Sequence, residues 1–219
     1  MKKSTPVQYV IRALFYCLGL LILAFGVVIS VNSNLGVSPV SSLPYIISCI
    51  IDVPLGICVT VIYCFYIMLQ VLILRKAFKP IQLLQILFST VFGYFVDFAG
   101  KFIGDFTFNT YAGRLGMLGF SIILIALGLA IYLDAQLVPM PMEGLTEVIA
   151  KKLGKSFANV KTVLDCLIVV IGIVLSLIFL GNIAGIREGT VITAIAAGKV
   201  VGLFKKWTTP IMKKICFGE

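Results

Sequence analysis

Two stretches of this 219-residue chain interrupt long apolar runs in the same way, and together they constrain the fold more than any other feature. The upstream one is NSNLGVSPVSSL, Asn32 to Leu43, and the downstream one is DAQLVPMPMEGLTE, Asp134 to Glu147. Each sets polar residues and then a proline at the end of a hydrophobic segment. Aligning Asn34 with Gln136 gives an offset of 136 − 34 = 102, and at that offset Ala24/Ala126, Gly26/Gly128, Ile29/Ile131, Leu35/Leu137, Pro39/Pro141 and Leu43/Leu145 are identical without a gap. The same offset pairs Ile47/Ile149, Thr60/Thr162, Val61/Val163 and Cys64/Cys166. A repeat of that length is a duplicated half-chain, with the halves expected at 1–105 and 106–219.

The environment of those halves follows from composition. Mean hydropathy is +1.12, with 60% hydrophobic and 12% charged residues, against ~45–50% apolar in soluble domains. The chain reads as a polytopic, all-α integral membrane protein. Its net charge of +9 sits in short clusters between apolar runs, at Lys2/Lys3, Arg75 to Lys79, Lys151 to Lys161 and Lys205 to Lys214. That placement speaks for membrane topology, with anionic lipid headgroups as partners and no nucleic acid. Six cysteines without a CxxC pair, and no histidine anywhere, point to small core residues, with no metal site or cofactor.

Six runs are long enough to cross a bilayer, which takes ~17–25 residues: 10–31, 56–74, 81–98, 115–133, 160–180 and 189–204. The first is too long for the apolar core of a signal peptide and reads as a retained span. Basic residues are rich and poor in alternate connections, which places both termini in the cytoplasm. Three spans per half is an odd number, so the second half enters the membrane from the opposite side. This is an inverted repeat, a recurrent feature of secondary transporters with a site near the midplane. Between the first and second spans of each half lies an apolar piece too short to span, Ser38 to Ile51 and Met140 to Leu153. Pro39 and Pro141 suit the first turn of a short helix, either re-entrant or interfacial.

Few residues could carry chemistry. Asp165, opposite Tyr63 in the repeat, and Lys199 lie inside apolar runs, where ionisable groups are costly and commonly functional. A pair between them would neutralise both, as a static ion pair or as part of a substrate or proton path; Lys199 snorkelling to headgroups is the rival. Glu143 and Glu147 are one helical turn apart and are expected on one face. Asn32, Asn34, Asp134 and Gln136 precede the prolines and either cap the short helices or touch a ligand. Gly93, Gly198, Gly202, Gly113, Gly116 and Gly119 are expected at close helix contacts. No GxSxG, P-loop or HExxH motif is present, so no enzymatic activity is expected.

NLGVSPVSSLPYI, its degenerate copy QLVPMPMEGLTEVI, the Thr60 and Thr162 span openings, and EGTVITAIAAGKVVGLF near the end resemble the bacterial YczE/YyaS/AitG and YitT group of integral membrane proteins. The resemblance covers nearly the whole chain and implies a multi-pass protein of the bacterial cytoplasmic membrane. The second copy departs from the first in replacing LGVSP with LVPMP.

The expected function is a small secondary transporter or exporter of a small solute or ion, with a path lined by Asn34, Ser38, Gln136, Glu143, Asp165 and Lys199. The alternative is a non-transporting accessory protein for a biosynthetic or secretion system; a lipid scramblase would need a lipid-facing polar groove that the sequence does not display. A homodimer is compatible with the same reading.

Overall fold

A computed structural model describes residues 6–155 and 157–217, and among them every regular element is helical. The apolar runs become α1 (Pro6–Asn32), α3 (Leu55–Leu74), α4 (Leu84–Ile103), α5 (Tyr111–Asp134), α7 (Phe157–Leu180) and α8 (Glu188–Met212). The two proline segments become short helices of 13 residues each, α2 (Pro39–Ile51) and α6 (Pro141–Leu153). The order long, short, long, long therefore occurs twice. Pro39 and Pro141 each start a helix, where the missing N–H had no intrahelical acceptor to lose.

The duplication extends to backbone conformation. Asn34 and Gln136, 102 positions apart, both adopt left-handed φ of 55° and 49° just after a long helix ends. Asp52 and Gly154, again 102 apart, are the left-handed residues that end the short helices. Three of these four are non-glycine residues in a region that costs most side chains energy, so the turn geometry repeats even where residue type does not.

Helix α1 runs antiparallel to α5, and they approach at Gly19 and Gly128: a Cβ on Gly19 would fall 2.8 Å from the Tyr132 nitrogen, and one on Gly128 2.6 Å from the Gly19 oxygen. Small residues let helices meet this closely in lipid, where packing replaces the hydrophobic drive. α4 runs parallel to α1, with Phe25 against Phe98 and Phe102, and Asn32 donating to the Gly104 carbonyl at 2.7 Å. α8 likewise runs parallel to α5, and Asp134 at its end accepts from Thr208 at 2.6 Å and Thr209 at 3.0 Å. α2 packs on α7 and α3, and α6 packs on α3 and α7.

Outward faces are apolar, for example Leu72, Phe102, Val163, Ile178 and Phe179, all exposed. Such a surface is stable in a bilayer and an aggregation hazard in water. Among the described residues, five helical stretches are long and apolar enough to cross a membrane: Val7–Asn32, Leu55–Ala77, Pro80–Ile103, Tyr111–Asp134 and Asn159–Leu180. The protein is a membrane protein. α8, which holds the expected run 189–204, is not among those five, and Glu188, Lys199, Lys205 and Lys206 lie along it.

Two packing expectations need correction. Gly116, Gly119 and Gly202 have open space where a Cβ would stand, so they are not close contacts, while Gly198 lies outside the residues whose side-chain positions are described. Gly93 does stand at a tight crossing as expected, together with Gly19, Gly56 and Gly128. Of the cysteines, Cys58 and Cys216 are buried, but Cys49 and Cys166 face outward. As small apolar groups they are equally at home against lipid.

Candidate functional site

The first turns of α2 and α6 meet at a central cavity of about 280 Å³. Its walls come from both halves, and much of the lining is paired at the repeat offset of 102: Leu23 with Ile125, Val27 with Leu129, Ser38 with Met140, Ser41 with Glu143, and Tyr63 with Asp165. Corresponding positions of the two stretches thus face one space. The residue types at those positions have diverged, from Ser41 to Glu143 and from Tyr63 to Asp165, so the cavity is chemically lopsided.

One wall is aromatic. Tyr63 and Phe92 stack with centroids 6.1 Å apart, and Tyr132 meets Tyr16 edge-on at 5.4 Å. Charge enters from α6 and α7. Lys161 donates to both Asp165 oxygens, at 2.7 Å to one of them, and the pair is only 24% exposed. Two hydroxyls on the lining, Tyr132 and Thr193, are each 1% exposed and have no hydrogen-bond partner. A buried unpaired hydroxyl costs about 1–3 kcal/mol, so both are set to receive one from a molecule in the cavity.

The broken backbone around the cavity is satisfied reciprocally. In the second half, Arg12 donates through Nε to the Ala135 carbonyl at 2.8 Å and through Nη2 to that of Gln136, Tyr16 donates to Val138 at 3.0 Å, and Gln70 donates to Pro141 at 2.9 Å. Every one of these donors belongs to the first half. In the first half, Arg187 donates to the Asn34 carbonyl at 3.0 Å, the Gly189 N–H to Leu35 at 2.7 Å, and the Val37 N–H to Gly185 at 2.9 Å. Irregular backbone away from water persists only where protein supplies such partners. Gln70 is itself held by Gln85 through reciprocal amide bonds of 2.9 and 3.2 Å, both side chains being fully buried.

Of the six residues expected to line a path, Ser38, Glu143 and Asp165 share this cavity, and Asn34, Gln136 and Lys199 do not. Asn34 borders a separate hollow of about 240 Å³ beside Arg187, while Gln136 and Lys199 are exposed. The anticipated Asp165–Lys199 pair is replaced by Asp165–Lys161, because four-residue spacing on one helix brings those groups together without requiring α7 and α8 to approach. The expected caps are also absent. Ser38 makes no side-chain cap bond, Asp134 binds α8, Asn32 reaches Gly104, and the Asn34 side chain donates to the Asn32 carbonyl. Glu143 and Glu147 part company: Glu147 is exposed and pairs with Lys151 at 2.6 Å.

Lys161, Phe92, Tyr132 and Thr193 line the cavity and Arg12 braces its surroundings, and the sequence reading singles out none of them. Lys161 is legible from its four-residue spacing to Asp165, although the basic cluster Lys151 to Lys161 reads first as membrane topology. Phe92, Tyr132 and Thr193 carry no local signal, since aromatic and threonine residues are common throughout apolar helices.

The chain is 28% identical over 194 residues to the uncharacterized protein YyaS of Bacillus subtilis (strain 168), covering 88% of this chain and 92% of that one. It is also 28% identical over 197 residues to the uncharacterized membrane protein YczE of the same organism, covering 89% and 85%. No solved structure matches. A model of one family matches residues 10–206, and the chain belongs to that family, the family of unknown function DUF6198.

Proposed function

We propose that the protein is a small secondary transporter or exporter of a small solute or ion in the bacterial cytoplasmic membrane, with its substrate site in the central cavity. The observation that carries this reading is a cavity built from equivalent positions of two halves, at the first turns of two broken helices. Sites of that construction serve alternating access, because rocking one half against the other exposes the same groups to either side. The antiparallel run of α1 and α5 supports an inverted relation between halves 1–105 and 106–219. Six spans follow if α8 crosses, its lysines lying near the end where Trp207 is exposed, as interfacial aromatics are. Both termini are then cytoplasmic. The cavity needs no catalytic step, and we assign none.

Flux into proteoliposomes across a panel of small solutes tests the proposal. Saturable uptake that disappears in Glu143→Gln and Asp165→Asn proteins of normal folded yield is the expected result. No flux for any solute, together with co-purification of a biosynthetic or secretion component, would replace transport by the accessory role. Cysteine labelling from outside that modified residues 140–161 and spared 32–54 would overturn the orientation.

A further inference from the structure

We propose that the ligand of the central cavity is a small protonated amine with an apolar body; this builds on the transporter reading by naming what the site recognises. The charge balance comes first. Three of the lining side chains, Glu143, Lys161 and Asp165, are of the kinds that carry charge at neutral pH, and Lys161 is engaged by both oxygens of Asp165. Glu143 is left with no ion-pair partner among the described residues. The cavity is therefore one positive charge short.

The main counter-argument is that two helix N-termini face the same space, and such ends attract anions. Here they are weak. Pro39 and Pro141 have no N–H, the Ser41 and Ser42 N–H groups already donate to the Ser38 carbonyl at 3.0 and 2.9 Å, and the Gly144 N–H donates to Met140 at 2.8 Å. What remains at α2 is a fractional charge of at most about one half, and at α6 Glu143 itself stands in the first turn. A full carboxylate charge outweighs either end.

The rest of the lining selects the kind of cation. A bare metal ion would need several oxygen ligands, whereas Leu23, Val27, Ile125 and Leu129 give hydrocarbon walls that an apolar body fills. The faces of Tyr63 and Phe92 favour a cation beside them. The unpartnered hydroxyls of Tyr132 and Thr193 accept N–H donors, which a protonated amine supplies and a quaternary ammonium lacks.

Three probes with a similar phenylalkyl body and different heads test this: 2-phenylethylamine, 3-phenylpropan-1-ol and 3-phenylpropionate, titrated calorimetrically into the purified full-length protein at neutral pH. The amine is expected to bind about tenfold more tightly than the alcohol, as befits a charge-assisted contact, with the carboxylate weakest. Glu143→Gln should remove that preference and leave alcohol affinity unchanged, Glu143→Asp should keep part of it, and Glu147→Gln should match the wild type. Equal affinity for amine and alcohol, tighter binding of the carboxylate, or an unchanged preference in Glu143→Gln would overturn the proposal. If Glu143→Gln does not elute as a folded species, Tyr132→Phe decides: its hydroxyl has no partner to lose, so folding is kept, amine affinity should fall severalfold, and an unchanged affinity counts against the proposal. Amine binding without flux would sink transport and leave this assignment standing; flux of a non-amine solute with no amine binding would do the reverse.

Discussion

The seam between α3 and α4 and its repeat-related counterpart between α7 and α8 differ sharply, although both join the last two helices of a half. α3 and α4 are in near backbone contact: a Cβ on Gly56 would lie 2.0 Å from the Gly93 oxygen, and one on Gly93 2.1 Å from the Thr60 hydroxyl. Asp97 of α4 accepts the Gly56 N–H at 2.7 Å, placing a carboxylate at the positive end of α3. Among the described residues α7 and α8 make no comparably extensive contact. The sequence supplies the reason. The partner of Gly56 is Ala158 at offset 102, and that of Asp97 is Gly202 at offset 105, so both closing groups are gone. One half is zipped, and the other leaves Lys161, Asp165 and Thr193 at the border of the cavity. The two halves share their order of helices, and differences at a few contacts set the two seams apart.

Substituting leucine at both seams should break the comparison most visibly. Gly93→Leu forces a side chain into Thr60 and the Gly56 backbone and is expected to cost about 3 kcal/mol or abolish folding. Gly202→Leu enters open space and should stay within about 0.5 kcal/mol of the wild type. Thermal unfolding in detergent reads both, and equal losses would mean that α7 and α8 are packed as tightly as α3 and α4.

A smaller effect is expected from Asp97→Ala, which removes the charged acceptor of the Gly56 N–H and should cost about 1.5 kcal/mol. Asp97→Asn keeps an acceptor oxygen and should lose about half of that. Stability indistinguishable from the wild type in both would show that glycine packing alone holds the closed seam.

The ion pair of the open side is expected to respond less than Asp97→Ala. Asp165→Asn leaves Lys161 without its carboxylate, and a half-buried pair of this kind is worth about 1 kcal/mol after solvent screening. The double replacement Lys161→Met with Asp165→Asn should recover most of it. A double mutant worse than the sum of the singles, in the same unfolding measurement, would show that further groups share the pair.

Much of the helical framework was visible beforehand because apolar length and proline position act locally. The runs at 56–74 and 160–180 became α3 and α7 within a few residues, and Pro39 and Pro141 begin α2 and α6. The lining of the central cavity was half visible. Ser38, Glu143 and Asp165 were found because the repeat places them beside the breaks, and Tyr63 was already aligned with Asp165. Asn34 and Gln136 were misplaced for a physical reason: each adopts the left-handed turn itself, so its carbonyl meets an arginine while its side chain stays outside the cavity.

By itself the sequence determined that this is a membrane-embedded helical protein with two proline-started short helices, because hydropathy, spacing and proline chemistry act along the chain. The tertiary structure decided which polar groups share a space. Lys161 claims Asp165, the two arginines cross to the opposite half, and Tyr132 and Thr193 remain unpartnered beside Glu143. Those outcomes depend on how closely helices from distant parts of the chain approach, and that closeness is set by glycines such as Gly19, Gly93 and Gly128, whose partners no local pattern names.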